Sequence, residues 1–582
     1  MPYPRSPWYK TEVELQTENK FNLHPVINRL LTKKGLTPQE ITEFFSWDLK
    51  GLPNMAGLKD IQVCAQAIID CLDNNKKIGI YGDYDVDGTT SCALFYQFFQ
   101  KLDVEVEMIQ PSRFIEGYGI HNSSIDKSIE MGIELLITVD CGISNVETAA
   151  YAKEQGLDLI ITDHHKDARE VMPDCVAVVN PNRRDEPADS DLTTLAGVGV
   201  AFAVCVEVRK ILLSQGKDIA SIYDLLQYVA IGTICDLAKL TPMNLKLVRH
   251  GMRLIKTSEY EGIRTFFPPE DRKKDIIPSE KLSFNVGPLI NSKGRLDHPE
   301  VALKLLIEKD NKTAREYYHQ LENCNNERKF IQKEVFDEAK QQVIDQMKHG
   351  EPLICIVYAP HWHEGVIGIV ASKLVETFKV PAIVFSDSEN EGVIKASARS
   401  AGGLNLFDLL DANKDLFIKF GGHKAAAGLS MQKENLAQFK ENLNQMLSEI
   451  PAIQRTVQHL YDLEISPEEI SPSLLKALDM LEPFGMGNAK PVFKLKGGFL
   501  KSYDLMKDVH VRWNFSSNKN PKLNLKGISF NYVGKWGHMS PNEIFERQKI
   551  DGEELNVYFT LSLNYFNGNK YIQLMVDKLD FN

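Results

Sequence analysis

Between residues 66 and 200 the sequence alternates between short apolar runs and longer amphipathic stretches. "IGIY", "VEVEMIQP", "ELLITV", "LDLIIT" and "CVAVVN" are the apolar runs; "TTSCALFYQFFQKL", "SSIDKSIEMG" and "NVETAAYAKEQG" stand between them, and "IQVCAQAIIDCLDNN" comes before the first. Apolar runs without polar alternation bury both faces of a strand, and the intervening helices supply the covering layers. The pattern predicts an α/β domain built on a parallel sheet. In such a sheet, ligands bind beyond the carboxyl ends of the strands, so the residues that follow each run carry the chemistry.

Those residues are acidic. "IYGDYDVDGTT" places Asp83, Asp85 and Asp87 after the first run. Asp140 follows the third in "ITVDCGIS", Asp163, His164 and His165 follow the fourth in "IITDHHKD", and "GTICDLAKL" offers Asp236. One aspartate after a strand is more often a helix cap than a ligand. Four such segments at one rim are different, because packed carboxylates raise one another's pKa and destabilise the fold unless cations offset them. If the strand continues, alternation points Asp83, Asp85 and Asp87 the same way. Carboxylate oxygen suits Mg²⁺ or Mn²⁺, and imidazole tilts the choice towards Mn²⁺. The ligands suffice for two ions roughly 3.5–4 Å apart, the arrangement that activates water for in-line displacement at phosphorus. Hydrolysis of a phosphodiester or phosphoanhydride is the expected reaction.

Other chemistries fit poorly. A net charge of -12 and a pI near 5.7 argue weakly against bulk-charge coating of nucleic acid or anionic membrane, without excluding a local basic groove. Nine cysteines stand singly with no C-x-x-C pair, which disfavours zinc ribbons and suggests reduced thiols. No apolar leader is visible at the N-terminus, and the longest apolar run, "AGVGVAFAVCV", is too short for a bilayer. A cytoplasmic protein without a membrane partner is the expectation. There is no phosphate-binding G-x-x-x-x-G-K-[ST], "HWHEGVIG" lacks a second histidine at metalloprotease spacing, and "AGVGVAF" reads as close helix packing.

Five regions follow. Residues 1–65 read as a small helical segment, with a Thr-x-x-Glu start in "TPQEITEFF", and 66–255 as the parallel-sheet domain, all-helical after 200. A linker at 256–348 contains a charged, solvent-exposed connecting helix over 298–348. A second, smaller α/β domain occupies 349–450, and 451–582 reads as a β-barrel of the OB kind.

"GDYDVDG", "VDCGIS", "DHH" and "GTICDL" together resemble the four motifs of the DHH phosphoesterase superfamily, and "GGHKAAAG" at 421–428 resembles the signature of the associated DHHA1 domain. "SRFIEGYG", "GRLDHPE", "HWHEGVIGIVASKL" and "LEPFGMGN" narrow the likeness to the superfamily's single-strand-specific 5′→3′ exonucleases. The resemblance implies metal ligation by Asp85, Asp87, Asp140, His164 and Asp236, with Asp83 in the cluster and Asp140 bridging two ions, Mn²⁺ or Mg²⁺. It implies catalysis by Asp87, Asp140, His164 and His165, with His165 supporting the site or meeting the scissile phosphate. Phosphate contacts are implied for Arg113, Arg295, Ser397 and Arg399, and for Gly421, Gly422 and His423. Glycines 421, 422 and 428 would let backbone N–H groups approach a phosphate, and His423 would face the catalytic domain across a cleft. A channel between the two α/β domains would admit one strand and exclude duplex. Aromatics in "HVRWNF", "YVGKWGH" and "LNYFNGNKY" are candidate stacking platforms, though such residues are more often core.

Single-stranded DNA is the expected substrate, in recombination and repair. Single-strand-binding protein and a helicase are the partners that family analogy adds. Two alternatives stand beside this reading. One is a DHH phosphodiesterase or pyrophosphatase for short oligonucleotides, cyclic dinucleotides or other small substrates, which would not need 450–582. The other is a non-catalytic replication scaffold, which would be expected to have lost acids that this chain keeps.

Overall fold

The computed structural model describes residues 23–111, 119–166, 171–185, 191–296, 300–348, 350–457, 461–532, 539–550, 552–566 and 569–581. The chain divides into two compact units. One comprises Thr42–Glu327 with the distant segment Leu481–Ala489; the other takes the described residues up to Ile41, Arg328–Met480, and those from Lys490 onward.

The first unit is built on five strands: β1 (Ile78–Gly82), β2 (Val106–Ile109), β3 (Leu135–Val139), β4 (Asp158–Thr162) and β5 (Ala177–Val179). All pair in parallel, in the order β2-β1-β3-β4-β5. Strands β1 and β3 are buried at every residue, as their unbroken apolar runs require. The register brings four strand ends level: Gly82 pairs with Val139, Val139 with Thr162, and Thr162 with Val179. The next residues are therefore Asp83, Asp140, Asp163 and Asn180, in one row. Chain order reverses between β1 and β3, where ligands bind in sheets of this order.

In the described part of the N-terminal region, α1 (Pro25–Lys33) and α2 (Pro38–Phe45) are short helices. Within the unit, α3 (Ile61–Asp73), α4 (Val86–Gln100), α5 (Asn122–Glu130) and α6 (Val146–Glu154) alternate with the strands. They are followed by α7 (Gly197–Ser214), α8 (Leu226–Cys235) and α9 (Pro242–Ile255), the helical stretch expected after residue 200. Phe95, Phe98, Tyr228 and Tyr260 fill the core between these helices.

The expected single helix over 298–348 is two helices, Glu300–Ile307 and Asn311–Met347. The break lies at Asp310, whose carboxylate accepts from the N–H and hydroxyl of Thr313 and caps the second helix. Nor is that helix simply solvated. Ala314 and Leu321 belong to the first unit's core, and Val335, Ala339 and Val343 to a core of the second.

The second unit has two sheets. Strands β6 (Cys355–Tyr358), β7 (Ala382–Asp387), β8 (Val393–Arg399), β9 (Phe417–Gly422) and β10 (Ala426–Gln432) run in the order β6-β7-β8-β10-β9, with only β6 and β7 parallel. Strands β11 (Leu463–Ile465), β12 (Phe493–Leu495), β13 (Gly498–Met506), β14 (His510–Ser517), β15 (Leu525–Ser529), β16 (Leu555–Phe566) and β17 (Asn569–Phe581) form a sheet in the order β11-β12-β16-β17-β15-β14-β13. Trp513 and Phe515 of "HVRWNF" are fully buried there, core rather than platform. Most of "YVGKWGH" and the side chains of Tyr565 to Lys570 lie outside the described residues. None of the nine cysteines forms a disulfide, and none is exposed. Among the described residues no helix is long and apolar enough to cross a membrane.

Candidate metal centre

The acidic triplet is not an extended continuation of β1. The strand ends at Gly82, Asp85 becomes the N-cap of α4, and its carboxylate accepts from the N–H groups of Asp87 and Gly88. A capping side chain satisfies N–H groups that the helix itself cannot, so it ends the strand geometry. Asp83, Asp85 and Asp87 thus sit at a strand end, a cap and a first helical turn. Gly88 permits the tight turn, since a Cβ there would lie 2.4 Å from the carbonyl oxygen of Asp83.

Asp87 is buried and bound twice. Its two oxygens accept from the N–H of Gly197 at 2.6 Å and of Val198 at 2.9 Å, the first turn of α7. The helix N-terminus, partially positive, steadies a carboxylate that burial would otherwise penalise. Gly197 and Gly232 must be glycines for this packing. A Cβ at Gly197 would lie 2.8 Å from Oδ1 of Asp140, and one at Gly232 2.8 Å from Oδ1 of Asp87. The "AGVGVAF" fragment is indeed close packing, but the packing builds the site. Asp140 itself holds φ 60, a left-handed backbone uncommon outside glycine that tends to persist where function needs it.

His164 is aimed at the acids. Its Nε2 is 3.1 Å from Asp140 Oδ1, 3.7 Å from Asp87 Oδ2 and 3.8 Å from Asp236 Oδ2. That nitrogen makes no hydrogen bond among the described residues. Donor atoms that converge this closely without hydrogen-bond geometry are arranged as ligands of a common ion would be. Asp236 reaches the cluster as the C-cap of α8, followed by Leu237 at φ 59. A carboxylate at a helix C-terminus is electrostatically unfavourable, so folding alone does not account for it.

Asp163, one of the rim candidates, orients the histidines. It accepts from the N–H groups of Ile143, His164 and His165, and lies 2.8 Å from Nδ1 of His165. Asn180 and Asn182, from "VVNPN" after β5, donate to the carbonyls of His165 and His164. Such outer contacts fix the orientation of ligating side chains.

The electrostatics separate the two histidines. Burial, then the neighbouring charge of His165, lowers His164 to about 4 and keeps it neutral, the form that ligates metal. Burial would also lower His165, but the hydrogen bond and charge of Asp163 lift it to about 9. Asp163, resisting burial through His165, stays near 2. Asp87 is pushed well above the ordinary carboxylate range by burial and then by Asp236 and Asp85; Asp140 likewise by burial and then by Asp87, Asp85 and Asp83. Burial followed by Asp85 raises Asp236 to about 7. The cluster cannot carry its full charge alone.

Three overlapping donor groups each gather within 4.8 Å: Asp83, Asp85 and Asp140; Asp87, His164 and Asp236; Asp140, His164 and His165. Asp140 is common to two of them and His164 to two. This oxygen-rich set with one or two imidazoles fits Mn²⁺ or Mg²⁺ and offers places for two such ions.

The remaining predicted residues lie, wholly or by their side chains, outside the described residues or in the second unit. Arg113 lies outside the described residues, as does the side chain of Arg295, whose backbone ends the helix Gly287–Leu296. In the second unit, Ser397 pairs across the sheet with Gly428, and Gly428 with Gly421. Nη1 of Arg399 donates to Oγ of Ser397 at 2.9 Å. Gly421, Gly422 and His423 are exposed at the β9–β10 turn. His363 of "HWHEGVIG" caps the helix Glu364–Phe378 by accepting from the N–H of Gly365, a structural role.

Comparison with known proteins matches three regions to family models: the DHH family N-terminal domain over 77–233, the DHHA1 domain over 351–449 and the RecJ OB domain over 461–578. A single-stranded-DNA-specific exonuclease RecJ from Bacillus subtilis is 33% identical over 96% of this chain and 68% of its own length. The RecJ of Haemophilus influenzae is 30% identical over 97% and 98%. RecJ of Thermus thermophilus with Mn²⁺ shares the fold, at a TM-score of 0.75 and 24% identity over 96% of this chain and 78% of that one. An exonuclease RecJ bound to manganese matches at a TM-score of 0.57 and 28% identity, covering 68% of this chain and 96% of that one. Acidic rim, domain order and end-to-end similarity agree, and the chain belongs to the RecJ family of DHH proteins.

Proposed function

We propose that the chain is a metal-dependent exonuclease that hydrolyses single-stranded DNA from its 5′ end and releases mononucleotides, in recombination and repair. The observation that carries the reading is the convergence of Asp87, Asp140, Asp236 and the bare Nε2 of His164 within a few ångströms at the ends of parallel strands. End-to-end similarity to relatives named as single-stranded-DNA-specific exonucleases favours a polymer over a small substrate.

In this reading Asp83, Asp85, Asp87, Asp140, His164 and Asp236 would hold two divalent cations, Mn²⁺ or Mg²⁺; Asp140 belongs to two of the donor groups. Cations bound there would supply Lewis-acid activation of water and charge neutralisation at phosphorus. Asp87, pinned by α7, keeps the cluster in register, and His165, oriented by Asp163, presents an N–H towards the scissile phosphate. Arg113, Arg295, Ser397 and Arg399, with the glycine-lined turn at Gly421, Gly422 and His423, grip the phosphates that follow. We assign catalysis to 66–255, with 1–65 as its helical preface and 256–348 as linker, phosphate anchoring to 349–450 and strand binding to 451–582. Single strands in a cell are produced by helicases and coated by single-strand-binding protein, so both are partners we propose, in the cytoplasm.

With Mn²⁺, a 5′-labelled single strand should yield labelled mononucleotide as its first product. Release from the 3′ end alone, or equal attack on blunt duplex, would contradict the assignment.

A further inference from the structure

A large apolar side chain left in water gains nothing from folding, and when such side chains are grouped they mark contact sites. Phe284 is 75% exposed, more than any other large apolar side chain among the described residues. It lies in Leu282–Val286, a single turn of π-helix, a rare element that recurs at functional sites. Leu237 is 61% exposed and immediately follows Asp236; Met486 is also 61% exposed.

These three residues are far apart in sequence but sit on segments that touch. Sγ of Cys235, one residue before Asp236, donates to the carbonyl of Leu282 at 3.4 Å. The N–H of Leu240 donates to the carbonyl of Met486 at 2.8 Å. Ser279, just before the π-helix, bonds Glu482 through its hydroxyl and accepts from the N–H of Phe484. The loop carrying Met486 is firmly held: Asn488 donates to the carbonyls of Leu481 and Pro483, and the buried Arg249 donates to that of Glu482. A loop tied down by so many polar contacts, yet lifting a methionine into water between Gly485 and Gly487, loses little backbone entropy when that methionine is covered.

We propose that Phe284, Leu237 and Met486 form an apolar platform beside the metal centre on which unpaired bases of the strand stack. The inference rests on the exonuclease reading above and names residues that select single strands. The occupant follows from chemistry. The rim beside the platform is carboxylate, so the part of a nucleotide that suits this surface is the flat, uncharged base rather than the phosphate. Aromatic and thioether groups stack on any base, independent of sequence. A paired base is already stacked within its duplex and cannot lie on the platform.

The test compares two Mn²⁺-dependent substrates: a normal 5′-phosphorylated single strand, and one whose terminal nucleotides are abasic. Stacking of one base corresponds to about a tenfold effect. Native protein should favour the normal strand about tenfold. Phe284→Ala with Met486→Ala should raise KM on the normal strand by about that factor and leave the abasic strand unchanged, with Phe284→Trp restoring the preference. Equal loss on both substrates, or no loss on either, would overturn the platform. Native protein that cleaves both strands equally well would overturn it too, while leaving the exonuclease reading in place. Native protein that cleaves neither would overturn that reading and this inference with it.

Discussion

The rim of the first unit and the glycine-lined row of the second are built on opposite plans. At the rim, Asp87, Asp140 and Asp163 are buried, and each is held by register, helix N-terminus or neighbouring backbone. Along Ser397, Gly428 and Gly421 the sheet is shallow, and a Cβ at Gly421 would meet nothing within 4 Å. The rim stores electrostatic strain in a rigid frame; the row stores none and offers a smooth surface. Chemistry on a phosphodiester requires the first, and passage of a polymer favours the second. A substitution should therefore affect turnover and stability at the rim, and mainly substrate affinity at the row.

The largest contrast is at Asp140. Asp140→Ala should reduce kcat by on the order of 10³-fold or more. The thermal midpoint of the chelator-treated protein should hold or rise, because one of several mutually repelling carboxylates is gone. A large fall in that midpoint would make Asp140 structural. Gly197→Ala comes next. Its Cβ would intrude within 2.8 Å of Asp140 at the turn that binds Asp87, so kcat should fall about 10–100-fold and stability by about 1–3 kcal/mol. Steady-state kinetics beside thermal melts would check both.

A pH series probes the strain directly. Without metal, Asp236 is raised from 3.8 to about 7, and Asp87 and Asp140 lie well above 3.8. Above pH 3.8 the unfolded chain has lost protons that the folded cluster retains. Chelator-treated protein should therefore lose stability as pH rises towards and through 7, and Mn²⁺ should raise its melting temperature more at about pH 8 than at about pH 5. An Mn²⁺ effect that shrinks with rising pH would contradict the cluster. The smallest effect belongs to the row. Gly421→Ala should change stability by less than about 0.5 kcal/mol and leave kcat intact while raising KM a few-fold. A fall in kcat equal to that of Gly197→Ala would erase the contrast.

Much of the rim was legible in the sequence. Unbroken apolar runs give a parallel sheet, and β1, β3 and β4 each stop one residue before an acid, so Asp83, Asp140 and Asp163 follow from register alone. Alternation misled at Asp85 and Asp87, because a capping aspartate starts a helix where the pattern still reads as strand. Gly197 was visible only as a packing glycine, since the carboxylate it meets lies 110 residues away. Asn180 and Asn182 carried a weak signal, a polar "NPN" behind an apolar strand, whose partners only the fold reveals. The helix break at Asp310 was local and could have been found from its Asp-x-x-Thr cap. The exposed Phe284 and Met486 had no signal of their own, because sequence does not distinguish an apolar residue at the surface from one in the core.

The account turns on whether the acidic rim holds two cations. Mn²⁺ titrated into chelator-treated protein, followed by calorimetry, should show two ions per chain. Asp140→Asn should weaken both together, because that residue lies in two of the three donor groups. Binding of no ion, or an isotherm that Asp140→Asn leaves unchanged, would contradict it.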